Sequence, residues 1–279
     1  MKYRVALDSG GEIPEFLKDR EEFVLIPMTL MINGKEFIDD GSLDQQVLVR
    51  EIAADPDCPK TACPSPGAYL KAFDCGAEHI YAVTISGALS GSFQSATIAM
   101  NMYLEEHPDA KIHVFNSVSA SVGEELAMMK IAELEEEGLP FEEIVEKTQK
   151  LIDDQTTYFV LDNLETLRKN GRLSGMKALA AAVLKIKPIC YGTPTGTIDQ
   201  LDQARGINKA IVKMVSIIAE RTRNPETRIL GISYCNCRER AEIVRDEICK
   251  RIKVRDVLLL ATGGVSTVYA NDGGIIVVI

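Results

Sequence analysis

Residues 86–92, with the sequence SGALSGS, place three hydroxyl groups and two glycines in one short segment, here called the serine loop. An apolar run rich in β-branched residues precedes it over 80–85, and a helical pattern follows over 93–104, so we predict a strand, a loop and a helix. Glycine lets a backbone approach a ligand, and a helix N-terminus offers unpaired N–H groups in a positive potential. The loop therefore suits a carboxylate or a phosphate. The alternative is an ordinary loop in which Ser90 or Ser92 caps the helix.

The serine loop lacks the partner that nucleophilic catalysis needs. A serine nucleophile requires a base, usually histidine, and the chain has only His79, His107 and His113. The patterns place His107 at the end of a helix and the other two near strand starts, which is the wrong edge for a site at the carboxyl ends of strands. Residues 87–91, GALSG, do not form the G-x-S-x-G elbow either.

Other catalytic motifs are also missing from the sequence. It contains no P-loop, no G-x-G-x-x-G fingerprint and no H-E-x-x-H metal pair, and no two carboxylates are marked out for acid–base work. These absences favour a binding protein without catalytic residues. Two alternatives stay open: a serine-dependent acyl hydrolase or transferase that uses Ser90, and a binding module for another acidic small molecule.

Composition indicates a globular protein. Of 279 residues, 46% are hydrophobic and 26% are charged, and the formal net charge of −10 argues against nucleic acid as a partner. The first residues are charged and lead directly into a strand, and no uncharged segment is long enough to cross a bilayer, so we expect a cytoplasmic protein without stable membrane insertion. The seven cysteines lack paired C-x-x-C spacing, which favours reduced thiols.

Strands and helices alternate in the first half of the chain. Predicted strands lie at 3–7, 80–85 and 111–115, and predicted helices at 14–20, 44–53, 69–73, 93–104, 124–136 and 141–152. This alternation is typical of a mainly parallel sheet covered by helices on both faces, and ligands bind at the carboxyl ends of such strands. Asp8-Ser9, the serine loop and a second serine-rich segment, 116–121, stand at such ends. We also predict one long strand over 23–32, a turn at Asn33-Gly34 and a strand over 35–38 pairing back, followed later by a polar loop over 60–67.

The second half has a different pattern. Predicted strands lie at 158–161, 187–190, 197–204, 228–234, 256–260 and 274–279, and predicted helices at 164–169, 176–184, 207–221 and 238–250. Turn residues at 193–196 make two of these strands antiparallel neighbours. We therefore predict an N-terminal three-layer α/β domain, residues 1–155, and a C-terminal α+β domain with a mixed sheet, residues 156–279.

Positive charge is concentrated in residues 167–187, here called the basic segment. It holds six basic residues and no acidic one: Arg168, Lys169, Arg172, Lys177, Lys185 and Lys187. On an acidic protein this favours an acidic partner or a phosphate. A solvated helix face is the alternative interpretation.

A series of short motifs resembles the DegV family of bacterial fatty-acid-binding proteins over essentially the whole chain. In order, the motifs are Asp8-Ser9, Thr61 with Pro64 in TACPSP, SGALSG in the serine loop, LETLRKNGRLS at 164–174, Lys187-Pro188 and Ala204-Arg205. Each is weak alone, but their order and spacing are specific. The resemblance implies two domains with a ligand tunnel between them.

The resemblance also implies a function. Members of the family bind one fatty acid in a closed tunnel and present its carboxylate to a partner fatty acid kinase, which forms the acyl phosphate. The protein would then be a lipid-binding subunit rather than an enzyme, with fatty acid as its ligand and no metal or cofactor. The head-group positions fall on Thr61, Ser90, Gly91 and Ser9. The arginines for kinase docking or transfer fall on Arg172, on the kinase-facing surface, and on Arg205.

Four positions depart from the family pattern. Ala62 and Cys63 replace a usual polar pair, and Asn116 stands where aspartate is common. Tyr269 occupies the position of a family histidine near the C-terminus. Tyrosine donates a hydrogen bond but titrates near pH 10, so we expect Tyr269 to contribute to head-group binding more readily than to proton transfer.

A fatty acid combines a long apolar tail with one charged end. About 15 methylenes at about 0.8 kcal/mol each give on the order of 10 kcal/mol on burial, whereas one hydroxyl hydrogen bond contributes about 1 kcal/mol. The tail therefore supplies affinity, and the hydroxyls set orientation. Each tunnel candidate could instead be ordinary core; the candidates are Ile26, Met28, Leu30, Phe159, Leu161 and Leu164.

Overall fold

The computed structural model describes residues 1–173 and 185–279 of the chain. Its strands are β1 (Tyr3–Asp8), β2 (Phe23–Ile26), β3 (Thr29–Ile32), β4 (Lys35–Ile38), β5 (Lys60–Ala62), β6 (His79–Thr84), β7 (Lys111–Asn116), β8 (Thr157–Val160), β9 (Ile186–Gly192), β10 (Ile198–Arg205), β11 (Ile229–Tyr234), β12 (Asp256–Ala261) and β13 (Ile275–Val278). Its helices are α1 (Gln45–Ala54), α2 (Pro66–Phe73), α3 (Ser92–Glu106), α4 (Val122–Glu136), α5 (Phe141–Asp154), α6 (Glu165–Lys169), α7 (Ile207–Arg221), α8 (Arg238–Cys249) and α9 (Gly264–Ala270).

Four strands of the first half form a parallel sheet in the order β2-β1-β6-β7. Successive residues of a strand point to opposite faces, so each face carries its own core. Val5 and Leu7 pack with α4 and α5, whereas Ala6 packs with α2 and α3. Helices on both faces of parallel strands confirm the predicted three-layer α/β architecture.

The long strand predicted over 23–32 is wrong, because the chain breaks at Pro27-Met28 into β2 and β3. The Met28 N–H donates to Ser9 Oγ over 3.0 Å, and the Asp39 N–H donates to the Met28 carbonyl over 2.9 Å. These bonds direct β3 into a separate antiparallel sheet, ordered β4-β3-β5. Its hairpin turn is the predicted one, with the positive φ of 52° at Asn33 and 70° at Gly34 that a type I′ turn requires.

Two further elements differ from the sequence predictions. The helix expected over 14–20 is only a 3-10 turn, Glu15–Leu17, because Leu17 is its one buried residue and no side chain caps it. The loop expected over 60–67 contains β5, which pairs with β3 through Leu30 and Thr61. A three-residue strand at a sheet edge carries too little pattern to be detected from sequence.

Six strands of the second half form a mixed sheet in the order β10-β9-β8-β13-β11-β12. Among the described strands of this sheet, β11 and β12 pair in parallel and all other neighbours are antiparallel. The strand β13 lies between β8 and β11, although it is the last of them in sequence. Helices α7 and α8 cover one face through Met214, Ile218 and Val244. The mixed sheet confirms the second part of the predicted fold class.

The two halves are joined between α5 and β8. Helix α4 packs against both sheets, on the parallel sheet through Met128 and on the mixed sheet through Val122 and Leu126. The division at residues 155 and 156 stays a prediction, and the helix expected over 176–184 lies outside the described residues. No helix in the described part of the chain combines the length and apolar character that crossing a bilayer requires.

Candidate functional site

A cavity lies where the carboxyl edge of the parallel sheet meets the mixed sheet. It contains about 840 Å³ of atom-free space, part of which is open to solvent. Its walls are mostly apolar. Both halves of the chain contribute to them, and the apolar lining includes Met28, Ile85, Leu89, Leu167, Ile198 and Ile276.

Several hydroxyl side chains line this cavity, and three of them are here called the head-group hydroxyls: Thr61 from β5, Ser90 from the serine loop and Tyr269 from α9. Thr61 Oγ1 and Tyr269 Oη are 2.9 Å apart and share a hydrogen bond across 208 positions of sequence. One of the two hydroxyls donates in this bond, which leaves the other proton for a ligand. The sequence-predicted Thr61, Ser90 and Tyr269 therefore meet in one place.

The serine loop approaches the cavity with Ser90 half-buried and Ser92 fully buried. Gly91 is the N-cap of α3 and makes no side-chain cap, while Ser90 Oγ accepts from the Ser92 N–H at 3.3 Å. The start of the loop is held by a backbone hydrogen bond of 2.8 Å from Ser86 to Ser119. The loop is thus fixed in place, and it leaves the Ser90 side chain on the cavity wall.

Two other predicted head-group residues do not line the cavity. Ser9 is 1% exposed, and its hydroxyl holds the Met28 backbone, which carries the Met28 side chain to the cavity wall. Gly91 packs against Cys63, whose Sγ lies 3.0 Å from the position that a Cβ of residue 91 would occupy. Ser9 therefore contributes by positioning Met28, and Gly91 by allowing the serine loop to pack closely against Cys63.

Arg172 also lines the cavity, and it is the one formally charged side chain among the described lining residues. Its Nε donates to the Leu89 carbonyl at 3.1 Å, and Nη1 donates to the Asn170 carbonyl. These bonds tie the residue to the serine loop and leave it half-buried, rather than on an open surface. Arg205 lies elsewhere, exposed at the end of β10.

Two other described residues of the basic segment have acidic partners, whereas Lys177 lies outside the described residues. Arg168 pairs with Glu165 at 2.6 Å, and Lys187 pairs with Asp162 at 3.2 Å. The segment has no acidic residue of its own, so these partners come from the residues just before it. This part of the basic segment is therefore partly neutralised by neighbouring carboxylates.

Strand alternation explains which tunnel candidates reach the cavity. Thr157, Phe159 and Leu161 lie two residues apart on β8 and just beyond it, and all three line the cavity with Met28. The intervening Tyr158 packs into the core beneath α7.

Three other candidates pack outside the cavity lining. Ile26 belongs to the core beneath α2 and α3, and Leu30 is fully buried beside Leu48. Leu164 packs against the apolar cluster that contains Phe159 but does not itself line the space.

Helix α9 brings Tyr269 to the site, and the sequence patterns did not predict it. The segment GVSTVYA is rich in β-branched residues, which disfavour helix. Its N-terminus is capped by Asp39, 2% exposed, which accepts from the N–H groups of Gly264 at 3.0 Å and Val265 at 2.8 Å. A cap 225 residues away cannot be detected from local sequence.

Five acidic side chains pack beside the N-terminal end of α9 and are here called the carboxyl cluster: Asp8, Glu12, Asp39, Glu124 and Glu125. Burial is the main cause that raises the pKa of each of them. The pKa of Asp39 rises to about 6 and that of Glu125 to about 8. Burial and the neighbouring Asp8 together keep the pKa of Glu124 well above its ordinary value.

The carboxyl cluster organises the surrounding loops. Asp8 accepts from the N–H groups of Gly10 at 2.9 Å and Ile85 at 3.1 Å, which joins the end of β1 to the start of the serine loop. Ser266 Oγ on α9 donates to the Gly10 carbonyl at 2.9 Å. No group of three His, Cys, Asp or Glu side chains within residues 1–173 and 185–279 is arranged to hold a metal ion.

The three histidines lie away from Ser90. His79 begins β6, at the opposite end of that strand from the serine loop, and its Nδ1 contacts Glu135 Oε1 at 2.6 Å. His107 follows the last residue of α3, a helix of 15 residues that begins beside Ser90 and is roughly 22 Å long. His113 is the third residue of β7, and burial lowers its pKa. The geometry provides no imidazole base for Ser90.

Comparison with known proteins relates this chain to one family. The family model described as "Uncharacterised protein, DegV family COG1307" matches residues 2–279. A DegV domain-containing protein of Streptococcus pneumoniae strain R6 is 34% identical over 281 residues, which cover 99% of this chain and 98% of that protein.

Similar solved structures carry fatty acids. A DegV family protein from Ruminococcus gnavus, refined with vaccenic acid, has a TM-score of 0.97 and 48% identity, covering 100% of this chain and 99% of its own. The Fatty Acid Kinase (Fak) B3 protein of Streptococcus pneumoniae, loaded with linoleic acid, has a TM-score of 0.90 and 33% identity, with coverage of 100% and 99%. A DegV family protein from Eubacterium eligens, loaded with heptadecanoic acid, has a TM-score of 0.89 and 31% identity, with coverage of 99% and 98%.

Proposed function

The chain belongs to the DegV family, and from this premise we propose that it binds a long-chain fatty acid in the cavity and presents the carboxylate to a partner fatty acid kinase. The observation that carries the proposal is the division of the cavity lining. Its walls are apolar, and its polar groups include the head-group hydroxyls and the single guanidinium of Arg172. A long tail with one anionic end matches that division.

The tail and the head group have different roles in binding. Burial of about 15 methylenes at about 0.8 kcal/mol each is the main source of affinity. Hydroxyl donors contribute about 1 kcal/mol each, so Thr61, Tyr269 and Ser90 mainly orient the carboxylate. A carboxylate held by neutral donors keeps an oxygen lone pair available to attack a phosphoryl group.

The two arginines have different roles in the proposed transfer to a kinase. Arg172 lies at the cavity, where its charge favours the carboxylate and the acyl phosphate that replaces it. Arg205 is exposed on β10, which suits contact with an acidic surface of the kinase. Under this proposal the chain supplies and orients the lipid, while the kinase supplies the phosphoryl group and the catalytic residues.

Lipid extraction tests the binding step. We expect denaturing extraction of the purified protein, followed by mass spectrometry, to release a long-chain fatty acid, and added fatty acid to raise the melting temperature. A different acidic small molecule in the extract would support the alternative binding module. Absence of any lipid, together with an unchanged melting temperature, would refute the proposal.

Kinase coupling is tested separately from binding. With purified fatty acid kinase and ATP, acyl phosphate is trapped by hydroxylamine as the hydroxamate. We expect Arg205→Ala to retain fatty-acid binding and to lower hydroxamate yield. Equal yields from the parent and from Arg205→Ala would remove Arg205 from the docking surface and leave lipid binding unaffected.

A further inference from the structure

The cavity and a cleft on the outer surface share one wall. Val118, Thr157 and Gly192 line the cavity, and the same three residues also line the surface cleft. On the cleft side their neighbours include Tyr191 and Arg221. At this place the cavity is separated from the outside by a single layer of residues.

Val118 is the largest apolar part of that wall, and its backbone is strained. Its φ of 54° lies in the left-handed region, which a β-branched residue adopts only when its surroundings impose it. The Val118 N–H donates to Asn116 Oδ1 at 3.1 Å. The next residue is fixed too, since Ser119 Oγ and Thr157 Oγ1 are 2.5 Å apart. These contacts hold the valine side chain between cavity and cleft.

The opposite side of the wall is made of glycines. A Cβ on Gly196 would lie 3.3 Å from Val118 Cγ1, and a Cβ on Gly192 would lie 3.8 Å from the Val118 carbonyl oxygen. The β9–β10 hairpin therefore brings its backbone close to Val118 and adds no side chain at these two positions. Val118 supplies the apolar side chain of the wall at this place, beside the hydroxyl side chain of Thr157.

We propose that Val118 sets the longest acyl chain that the cavity accepts, by closing it toward the surface cleft. The proposal rests on the proposed function, since it assumes that the occupant is a fatty acid. A chain that exceeds the cavity in length meets the valine side chain, whereas removal of that side chain would let the terminal methylenes extend into the cleft. One residue in the second serine-rich segment then determines the maximum length of the bound acyl chain.

Binding constants for saturated acids of increasing length test this proposal. The probes are palmitic, stearic, arachidic and behenic acids, measured on delipidated protein of the parent, Val118→Gly and Val118→Ala. Glycine accepts a positive φ without strain, and relief of that strain offsets part of the packing energy lost with the valine side chain in Val118→Gly. We expect both variants to bind arachidic and behenic acids about tenfold more tightly relative to palmitic acid than the parent does.

Two further variants make the result decisive. Gly192→Ala adds a methyl group to the wall within ordinary contact distance of Thr157, so it is expected to shift preference toward shorter acids. Val145→Ala, at a half-buried valine in α5, is the matched control and is expected to keep the parent profile. If the parent binds fatty acid and Val118→Gly, Val118→Ala and Gly192→Ala all keep its chain-length profile, Val118 is not the limit and the proposal is overturned. If the parent binds no fatty acid at all, the proposed function fails first and this proposal with it.

Discussion

The head-group hydroxyls and the carboxyl cluster lie toward opposite ends of α9, and the two groups create different electrostatic environments. Near the C-terminal end, Tyr269 and its partners offer neutral donors beside one guanidinium, an environment that stabilises an anion. At the N-terminal end, the five acids of the carboxyl cluster, four of them buried, pack near the helix start, where burial favours their protonated forms.

This contrast shows that a buried acidic cluster beside a pocket need not be part of its chemistry. Burial and the neighbouring Asp8 raise the pKa of Glu124 well above its ordinary value. Acidic side chains carry no positive charge that could attract an anionic ligand. The cluster instead positions α9 and the loops, and the proposed ligand-binding hydroxyls lie toward the other end of the helix.

The largest effect is expected from removing the cap of α9. Asp39→Ala leaves the buried N–H groups of Gly264 and Val265 without their acceptor, which we expect to lower the free energy of unfolding by about 3 kcal/mol. Fatty-acid affinity should fall as well, because α9 carries Tyr269. Urea denaturation and ligand titration measure the two effects.

The control for this experiment is the cap of α1. Asp44 is exposed, and its side chain accepts from the Val47 N–H at 2.9 Å. Asp44→Ala should therefore lower stability by only about 1 kcal/mol and leave fatty-acid binding unchanged. Equal destabilisation by the two substitutions would show that the carboxyl cluster does not position the site.

The second-largest effect is expected on the pH dependence of stability. It tests the carboxyl cluster independently of the head-group hydroxyls. The pKa of Glu125 is raised by burial from 4.5 in the unfolded chain to about 8 in the fold. The stability that the neutral acid provides is complete below the unfolded pKa and is lost as the pH rises through about 8. We therefore expect Glu125→Gln to be more stable than the parent at pH 9, by about 2 kcal/mol, and similar to it at pH 4.5.

Chemical denaturation of both proteins between pH 4.5 and pH 9 measures this difference. Glu142→Gln, at an exposed position of α5, is the matched control and should follow the parent at every pH. A Glu125→Gln variant whose stability changes with pH in the same way as that of the parent would show that Glu125 is not a buried neutral acid.

The smallest effect is expected at the head-group hydroxyls. Tyr269→Phe, Thr61→Ala and Ser90→Ala should each weaken fatty-acid binding about fivefold, equivalent to about 1 kcal/mol, with little change in stability. Because Thr61 and Tyr269 bond to each other, their double variant should lose less than the sum of the two single losses. Isothermal titration with one fatty acid gives these values.

Tyr103→Phe, in α3 outside the cavity, controls for removal of a tyrosine hydroxyl and should bind like the parent. If Tyr269→Phe and Thr61→Ala both bind as tightly as Tyr103→Phe, the two hydroxyls do not hold the carboxylate. In that case the head-group hydroxyls would not differ from the carboxyl cluster in ligand binding.

Sequence patterns could locate the parallel sheet because its signals are local. Apolar strands such as β1 and β6 are each followed by a polar loop, and parallel strands bring those loops to one edge. The motif resemblance, not periodicity, indicated Thr61 and Tyr269 as head-group positions. The sequence patterns predict neither the pairing of β5 with β3 nor helix α9, and the hydrogen bond between Thr61 and Tyr269 joins residues 208 positions apart.

Other features of the site depend on burial that sequence does not display. Glu124 and Glu125 stand in the first turn of α4, where acidic residues usually face solvent and favour the helix dipole. They are buried because α4 lies between two sheets. Likewise, the break at Met28 follows from the Ser9 hydroxyl, a partner 19 positions earlier that no strand pattern indicates.

The central place of β13 in the mixed sheet has a consequence for synthesis. Because β13 pairs with both β8 and β11, the strands made before it form two incomplete ladders with exposed edges until residues 275–278 have been translated. The parallel sheet has no such requirement, since its last strand, β7, ends at Asn116. The nascent chain can therefore build the serine loop early, while the cavity, which Ile276 of β13 lines, closes only after β13 is inserted.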